Sequence, residues 1–541
     1  MSIEHHLSFS RTAIATLLAA ILSAGTVGCS NDAGVASTTI DGSVFASAVD
    51  GAACSVQDIN GNIIVDNIGT SATGTYSANI PTANLADDLV LVCDGGTYTN
   101  EADGTSQTAG MLAAYANGGT LAAGVALHAT PDSTIMYQLR MQHQMTHADA
   151  EAAFSSAFGY TPDTTIAPTD ATAPATGASN DELLAGLHAA TFSQLALDLG
   201  LTAAEQFDLM LALAEDLSDG TLDGSNTTGI ALSANIQNQF TLAMMNFRDG
   251  GNDASGLAAD MIGVLPFAQT ALTANYTVEY LKDTMGMMEM DAMEGKSQFQ
   301  IRVTDSVGAP VSDTVSIMPM MHMADKTHST PVDNAGACIP SATPGTYDCT
   351  VYYVMASVMM DGTSMGYWDL AVMVGGMADT AHFFPPVMMA MNGTAMVKLK
   401  NSNLTMMSMD GPVARTFQVF KSSLISVPGS HTFELFTSTM ETMMSFPAVF
   451  DGVSLNEAAL IIANMAVEVS TDAAFTSPIL ANQDGSGYWT AEGITGLTNG
   501  VEGTLYVRIA TNTYTLNSSI DGVAGAGIND YATFTVTPGA M

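Results

Sequence analysis

Basic residues are nearly missing from this chain. Only 12 of its 541 residues are Lys or Arg, against 53 Asp or Glu, for a formal net charge of -41. A surface so charged repels nucleic acid and anionic lipid headgroups, which argues against a nucleic-acid partner, and it gathers cations around the protein. Adaptation to salty water, plain solubility and a dedicated role in attracting cations all fit such a charge. Cysteine is scarce too, with five residues and no CxxC or CxxCH spacing. That disfavours thioredoxin-like redox work, zinc knuckles and c-type haem attachment. No HExxH, Walker loop or Rossmann fingerprint occurs. Gly362-Thr363-Ser364-Met365-Gly366 has the text of a nucleophile elbow, but that motif needs a strand-to-helix turn and this one precedes a β-strand pattern. The chain is therefore expected not to be an enzyme.

Long apolar runs are also absent beyond the first residues. Arg11 is followed by a mostly apolar stretch, Ala13 to Ala24, too short to span a bilayer comfortably, and then by Gly25-Thr26-Val27-Gly28-Cys29. This reads as a secretory signal, residues 1–28, ending in a lipoprotein cleavage box, with a lipidated Cys29 opening the mature chain. Gly28 suits the peptidase, and Thr26 departs from the Leu usual three residues before the cysteine. Ser30, rather than Asp, after the cysteine favours the outer membrane of a bacterial envelope. The remaining cysteines fall in two local sets, Cys54 with Cys93 and Cys338 with Cys349, as expected for two disulfides in an oxidising compartment.

Composition changes along the chain divide it further. A tether, 29–38, leads to short alternating segments over 39–125, such as Thr39-Ile40-Asp41-Gly42-Ser43-Val44-Phe45 and Gly74-Thr75-Tyr76-Ser77-Ala78, bounded by Gly, Asn or Asp. The Gly-x-Val opening followed by a Gly-x-Tyr strand resembles the carboxypeptidase-regulatory-like, transthyretin-type modules of bacterial surface lipoproteins, which implies a small β-sandwich. Residues 126–265 switch to helical spacing. Leu184, Leu187, Phe192 and Leu195 fall on roughly one face, and Thr202-Ala203-Ala204-Glu205 forms a capping box. The Asp216-to-Gly224 stretch carries enough carboxylates for calcium, but lacks EF-hand spacing, and a helix end running into a turn explains it without metal. Alternating strands return over 270–377 and 378–541. The expected fold is thus multi-domain and mainly β, with immunoglobulin-like and transthyretin-like sandwiches and one inserted α-helical segment.

Methionine is what the chain has in excess. More than two thirds of its 36 methionines lie between Met285 and Met444, cresting in Met318-Pro319-Met320-Met321-His322-Met323. Thioethers and an imidazole are soft, uncharged ligands suited to Cu(I), and thioethers are not lost to disulfide formation in an oxidising compartment. In an extended strand Met318, Met320 and His322 share one face, and Met321 and Met323 the other. Core packing, a soft contact surface and oxidant scavenging by reversible sulfoxide formation are the alternatives. The doublets weigh against pure packing, because one member of each faces away from the core. Met373, in the alternating strand Leu370 to Val374, is expected inside. Satellite clusters lie at Met285/Met287/Met288/Met290 and Met406/Met407/Met409. His143 and His147 stand four apart and could clamp a metal from one helix, whereas His328 and His382, near turns, are expected to be solvated.

The section 270–377 also resembles a known family. Val303-Thr304-Asp305-Ser306-Val307-Gly308-Ala309-Pro310-Val311, the Met-Pro-Met-Met-His run, Gly345-Thr346-Tyr347 and Met360-Asp361-Gly362-Thr363-Ser364-Met365-Gly366-Tyr367-Trp368 follow the order of motifs in the YtkA-like or FixH-like immunoglobulin-type domain. Members are exported or membrane-anchored sandwiches associated with copper handling and oxidase assembly. Two departures stand out, an insertion around Cys338 to Cys349 and the Met-Pro-Met-Met-His spacing. Cu(I) accepts two to four soft ligands, so Met320, His322 and Met323, completed by Met318 or by a methionine of the facing turn, Met360 or Met365, would suffice, with Met321 in the same run. The protein expected is a lipid-anchored envelope protein that buffers Cu(I) or exchanges it with a copper-accepting or copper-donating protein. The alternative is a structural or adhesive surface lipoprotein without metal.

Overall fold

In the computed structural model the described residues are 36–282, 292–391, 393–408, 411–427, 429–455, 459–518 and 529–539. The lipidation cysteine Cys29, the cluster Met285 to Met290 and Met409 lie outside them. The chain is a multi-domain, mainly β protein with five α-helices among the described residues, all between Pro131 and Asp249.

The N-terminal strands pair antiparallel. Ser37–Ser43 runs against Thr75–Pro81, whose alternation turns Tyr76, Ala78 and Ile80 inward. A second sheet orders Ile63–Gly69, Ala53–Asp58, Leu89–Asp94 and Leu112–Ala116. Within it Cys54 and Cys93 face each other across the ladder and are disulfide-bonded. The helices close over this sandwich and share its core, from Ile40 through Phe154, Phe192 and Phe240 to Leu265. Ser179 and Glu182 form a capping box at the start of the Asn180–Asp198 helix, on which Leu187, Phe192 and Leu195 are fully buried. Thr202 and Glu205 exchange the expected reciprocal hydrogen bonds ahead of the Glu205–Asp216 helix.

In the Asp-Gly stretch Asp216 is buried, and its two carboxylate oxygens accept the backbone N–H groups of Gly224 and Asn226, both at 3.0 Å, which ties the helix end to the turn that follows. The His143/His147 pairing on one helix does not form: Pro131–Met141 ends first, Gln144 takes a positive φ of 55°, and His147 opens the next helix, where it faces Glu151 at 3.1 Å.

The methionine-rich section is a two-sheet antiparallel sandwich. One sheet orders Ile339–Pro340, Thr346–Tyr353, Gly295–Asp305, Tyr276–Lys282 and Thr270–Leu272; the other orders Thr327–His328, Val315–His322, Tyr367–Val374 and Thr380–Phe383. Val303, Val351, Tyr353, Trp368, Leu370 and Phe383 meet between them. Each fully buried large side chain of this kind contributes about 1.5–3 kcal/mol of transfer free energy. Cys338 and Cys349 are bonded beside the Ile339–Asp348 pairing, so the insertion is a stapled hairpin.

A C-terminal sandwich follows, its six-stranded sheet built around Met396–Ser408, Gly411–Val427 and Ser430–Thr439, its second around Ala466–Ser470 and Gly503–Thr511. The chain carries a Gly-Tyr-Trp text twice, at Gly366–Trp368 and Gly487–Trp489, each at the start of a strand. Gly366 and Gly487 both take positive φ, each Trp is buried, and each indole N–H donates into its own sandwich, Trp368 to the Met355 carbonyl at 3.3 Å and Trp489 to Thr437 Oγ1 at 3.1 Å. The sandwiches touch through Tyr352, which stacks on Phe436 at 4.2 Å and shares a 2.9 Å hydroxyl hydrogen bond with Tyr488.

Candidate metal site

The strand Val315–His322 sorts its residues as its alternation predicts. Val315, Ile317, Pro319 and Met321 point inward, and Met318, Met320 and His322 point outward, with Met318 42% exposed. Met323 lies just past the strand, half-buried against the core, and its N–H donates to the Lys326 carbonyl. Register with Tyr367–Val374 sets Met318 beside Ala371, Met320 beside Asp369 and His322 beside Tyr367. The next strand places His382 beside Ala371. One outward face therefore carries Met318, Met320, Asp369 and His382 around the small methyl of Ala371.

Several expected ligands fall elsewhere. His322 stacks on Tyr367 at 4.8 Å, nearly parallel. Burial lowers its pKa, against the opposing pull of Asp369 and Asp249. Met360 stands exposed on the turn Met359–Thr363. Met365 is half-buried against the core, so it reaches the inner side. Met373 does not pack inside: Leu370, Val372 and Val374 take the inward positions, and Met373 faces out beside Ser316. The elbow serine, Ser364, spends its hydroxyl on the Gly366 carbonyl at 3.3 Å, in a turn leading into a strand.

His382 is the residue sequence reasoning undervalued. Its Nδ1 lies 2.8 and 3.0 Å from the two oxygens of Asp369. Burial lowers its pKa, but the hydrogen bond and charge of Asp369 together outweigh this and raise it. A carboxylate holding Nδ1–H fixes the tautomer and leaves Nε2 with the free lone pair, an arrangement common behind histidines that ligate metals. Met318 and His382 sit on strands two ladder steps apart, about 10 Å between backbones. The pairing depends on three strands of separate origin in the sequence, so only register reveals it.

His328 was expected in solvent and is buried instead, directly across the ladder from Met321. Its Nδ1 is 2.7 Å from the Ser329 carbonyl, its Nε2 3.2 Å from Met355 Sδ, and burial lowers its pKa. The methionine doublets divide as expected at Met406 and Met407, 8% and 71% exposed, whereas Met443 and Met444 are both exposed. Among the described residues no group of three or more His, Cys, Asp and Glu gathers as a metal site. A cleft of about 1480 Å³ lies in the N-terminal part, lined by residues that include Asp41, His128, Asp181 and Glu182, with no methionine among its walls.

No family model and no curated protein matches the chain. Among solved structures, domains 5-6 of the S-layer protein SbsC align at 13% identity over 50% of this chain and 99% of that one, with a TM-score of 0.15. Domains 4-9 of SbsC align at 12% identity over 50% and 32%, also at 0.15, and S. aureus TarS at 10% over 73% and 64%, at 0.14.

Proposed function

We propose that this is an exported, lipid-anchored protein of the bacterial cell envelope, held at the outer membrane through Cys29, that binds Cu(I) on its methionine-rich sandwich. It buffers the metal or passes it to a partner that accepts or donates copper. The observation that carries this reading is the pair His382 and Asp369 set in register with Met318 and Met320. A carboxylate-oriented imidazole beside two thioethers is a soft, half-exposed donor set, with ligands that a partner can replace one at a time. The two disulfides support an oxidising compartment, where thioethers persist and thiolates do not. The extreme acidity favours cations near the surface.

The test is competition with a chromogenic Cu(I) chelator under reducing conditions, on the wild type and on a variant combining Met318→Leu, Met320→Leu and His382→Gln. All three positions lie on the outward face of the sheet, so the variant is expected to keep the fold, checked by unchanged far-ultraviolet circular dichroism. Stoichiometric binding weakened in the variant supports the reading; equal uptake by both removes this face as the site. A second reading, a structural or adhesive surface lipoprotein, is favoured by Met360, Met377, Met391 and Met407, which are 65–81% exposed and spread over the surface as soft contact points.

A further inference from the structure

Behind the outward face, the same sandwich holds a second set of soft donors. His328 is only 7% exposed, and its Nδ1 lies 2.7 Å from the Ser329 carbonyl. A carbonyl can only accept, so Nδ1 carries the proton and a neutral ring presents a bare lone pair at Nε2. That nitrogen faces Met355 Sδ at 3.2 Å. A thioether has no proton to give, so Nε2 and Sδ face each other as two lone-pair donors. Directly across the ladder stands Met321, fully buried on the same face. Trp368 sets the geometry of the pair. Its indole N–H holds the Met355 carbonyl, and its ring meets the His328 imidazole edge-on at 5.7 Å.

We propose that His328, Met355 and Met321 form a second, buried Cu(I) site. Three neutral donors suit a monovalent soft ion, whose single charge is the least costly to bury, whereas a divalent ion would remain uncompensated. The C-terminal sandwich covers the site. The Ser329 N–H donates to the Met443 carbonyl at 2.7 Å, Phe446 comes within 6.3 Å of the His328 ring, and Met443 and Met444 expose their thioethers on the turn between Thr442 and Ser445. The inference shares the copper chemistry of the outward face but none of its residues, so either site can fail alone.

The site carries its own reporter, because the chain has only two tryptophans and Trp368 touches the ligands. Ag(I), a redox-stable probe for Cu(I), is titrated into the full protein while tryptophan emission is followed. The wild type is expected to quench and saturate. Met355→Leu, a volume-conserving change that keeps the core, is expected to lose the quench and to lower the affinity of this step by roughly tenfold or more. The variant combining Met318→Leu, Met320→Leu and His382→Gln should quench as the wild type does. Met321→Leu, with unchanged apo emission as its check on folding, is the second test of the inner set. Quenching that survives both inner variants overturns the proposal, as does a wild type that binds Ag(I) without any change in emission. Loss of uptake only in the outer variant defeats the inner site and leaves the outer one standing.

Discussion

Acid should unfold the N-terminal half of this protein through two buried histidines. His188 sits in the Asn180–Asp198 helix, stacked on Tyr160 with ring centroids 3.5 Å apart, and burial alone holds its pKa down to about 3. His128 hydrogen-bonds through Nδ1 to Ser43 Oγ at 2.8 Å, and burial lowers it to about 4 in spite of Asp163 and Glu182 nearby. Both folded-state values lie below the ordinary 6.5, so the folded state favours the neutral rings. The stability they contribute is complete above pH 6.5 and is lost as pH falls toward the folded values. At pH 5 an exposed imidazole gains about 2 kcal/mol by protonation that a buried one forgoes, so each histidine costs about that much. Glu101 and Asp132 act in the opposite sense, because burial raises both and acid favours their folded form. A difference measurement removes them. Urea unfolding followed by far-ultraviolet circular dichroism, which reports the helices of this unit, compares wild type with His188→Gln at pH 7.5 and pH 5. The stability gap between the two should shrink by about 2 kcal/mol at the lower pH. A gap that stays constant would mean that His188 titrates normally and would refute the burial argument.

Three further outcomes follow from the same geometry. Met321→Ala should cost 2–5 kcal/mol by opening a cavity in the core, whereas Met318→Ala, on the exposed face, should stay within about 0.5 kcal/mol; thermal unfolding distinguishes them. Removing Cys54–Cys93 should destabilise by about 1 kcal/mol more than removing Cys338–Cys349, because it closes a 39-residue rather than an 11-residue separation; paired Cys→Ala variants unfolded in urea measure the difference. Asp369→Asn, which weakens the hold on His382 without touching the methionines, should lower Cu(I) affinity at the outward face by roughly 10–100-fold in chelator competition.

Much of the fold was legible because local periodicity decided it. The alternation of Val315 to His322 placed Met318, Met320 and His322 on one face and Met321 on the other without knowledge of the partner strands. The same is true of Leu187, Phe192 and Leu195 on their helix. Legibility ended where register and tertiary cover take over. Nothing local says that Ala371 separates Met318 from His382, or that Asp369 reaches His382 on the next strand. His328 reads as a turn residue by its neighbours, yet the C-terminal sandwich closes over it. Met373 was misplaced by one step of the pleat, and a one-residue error in a strand always exchanges inside for outside. His143 and His147 misled through spacing alone, since the intervening Gln144 breaks the helix they would have shared.

The copper reading stands or falls on Cu(I) competition with the intact protein under reducing conditions, read as stoichiometry and affinity beside the outward-face variant and Met355→Leu. The account predicts two tight equivalents in the wild type and one in each variant. Weak, equal uptake by all three proteins would contradict it and leave the methionines as packing and contact surface.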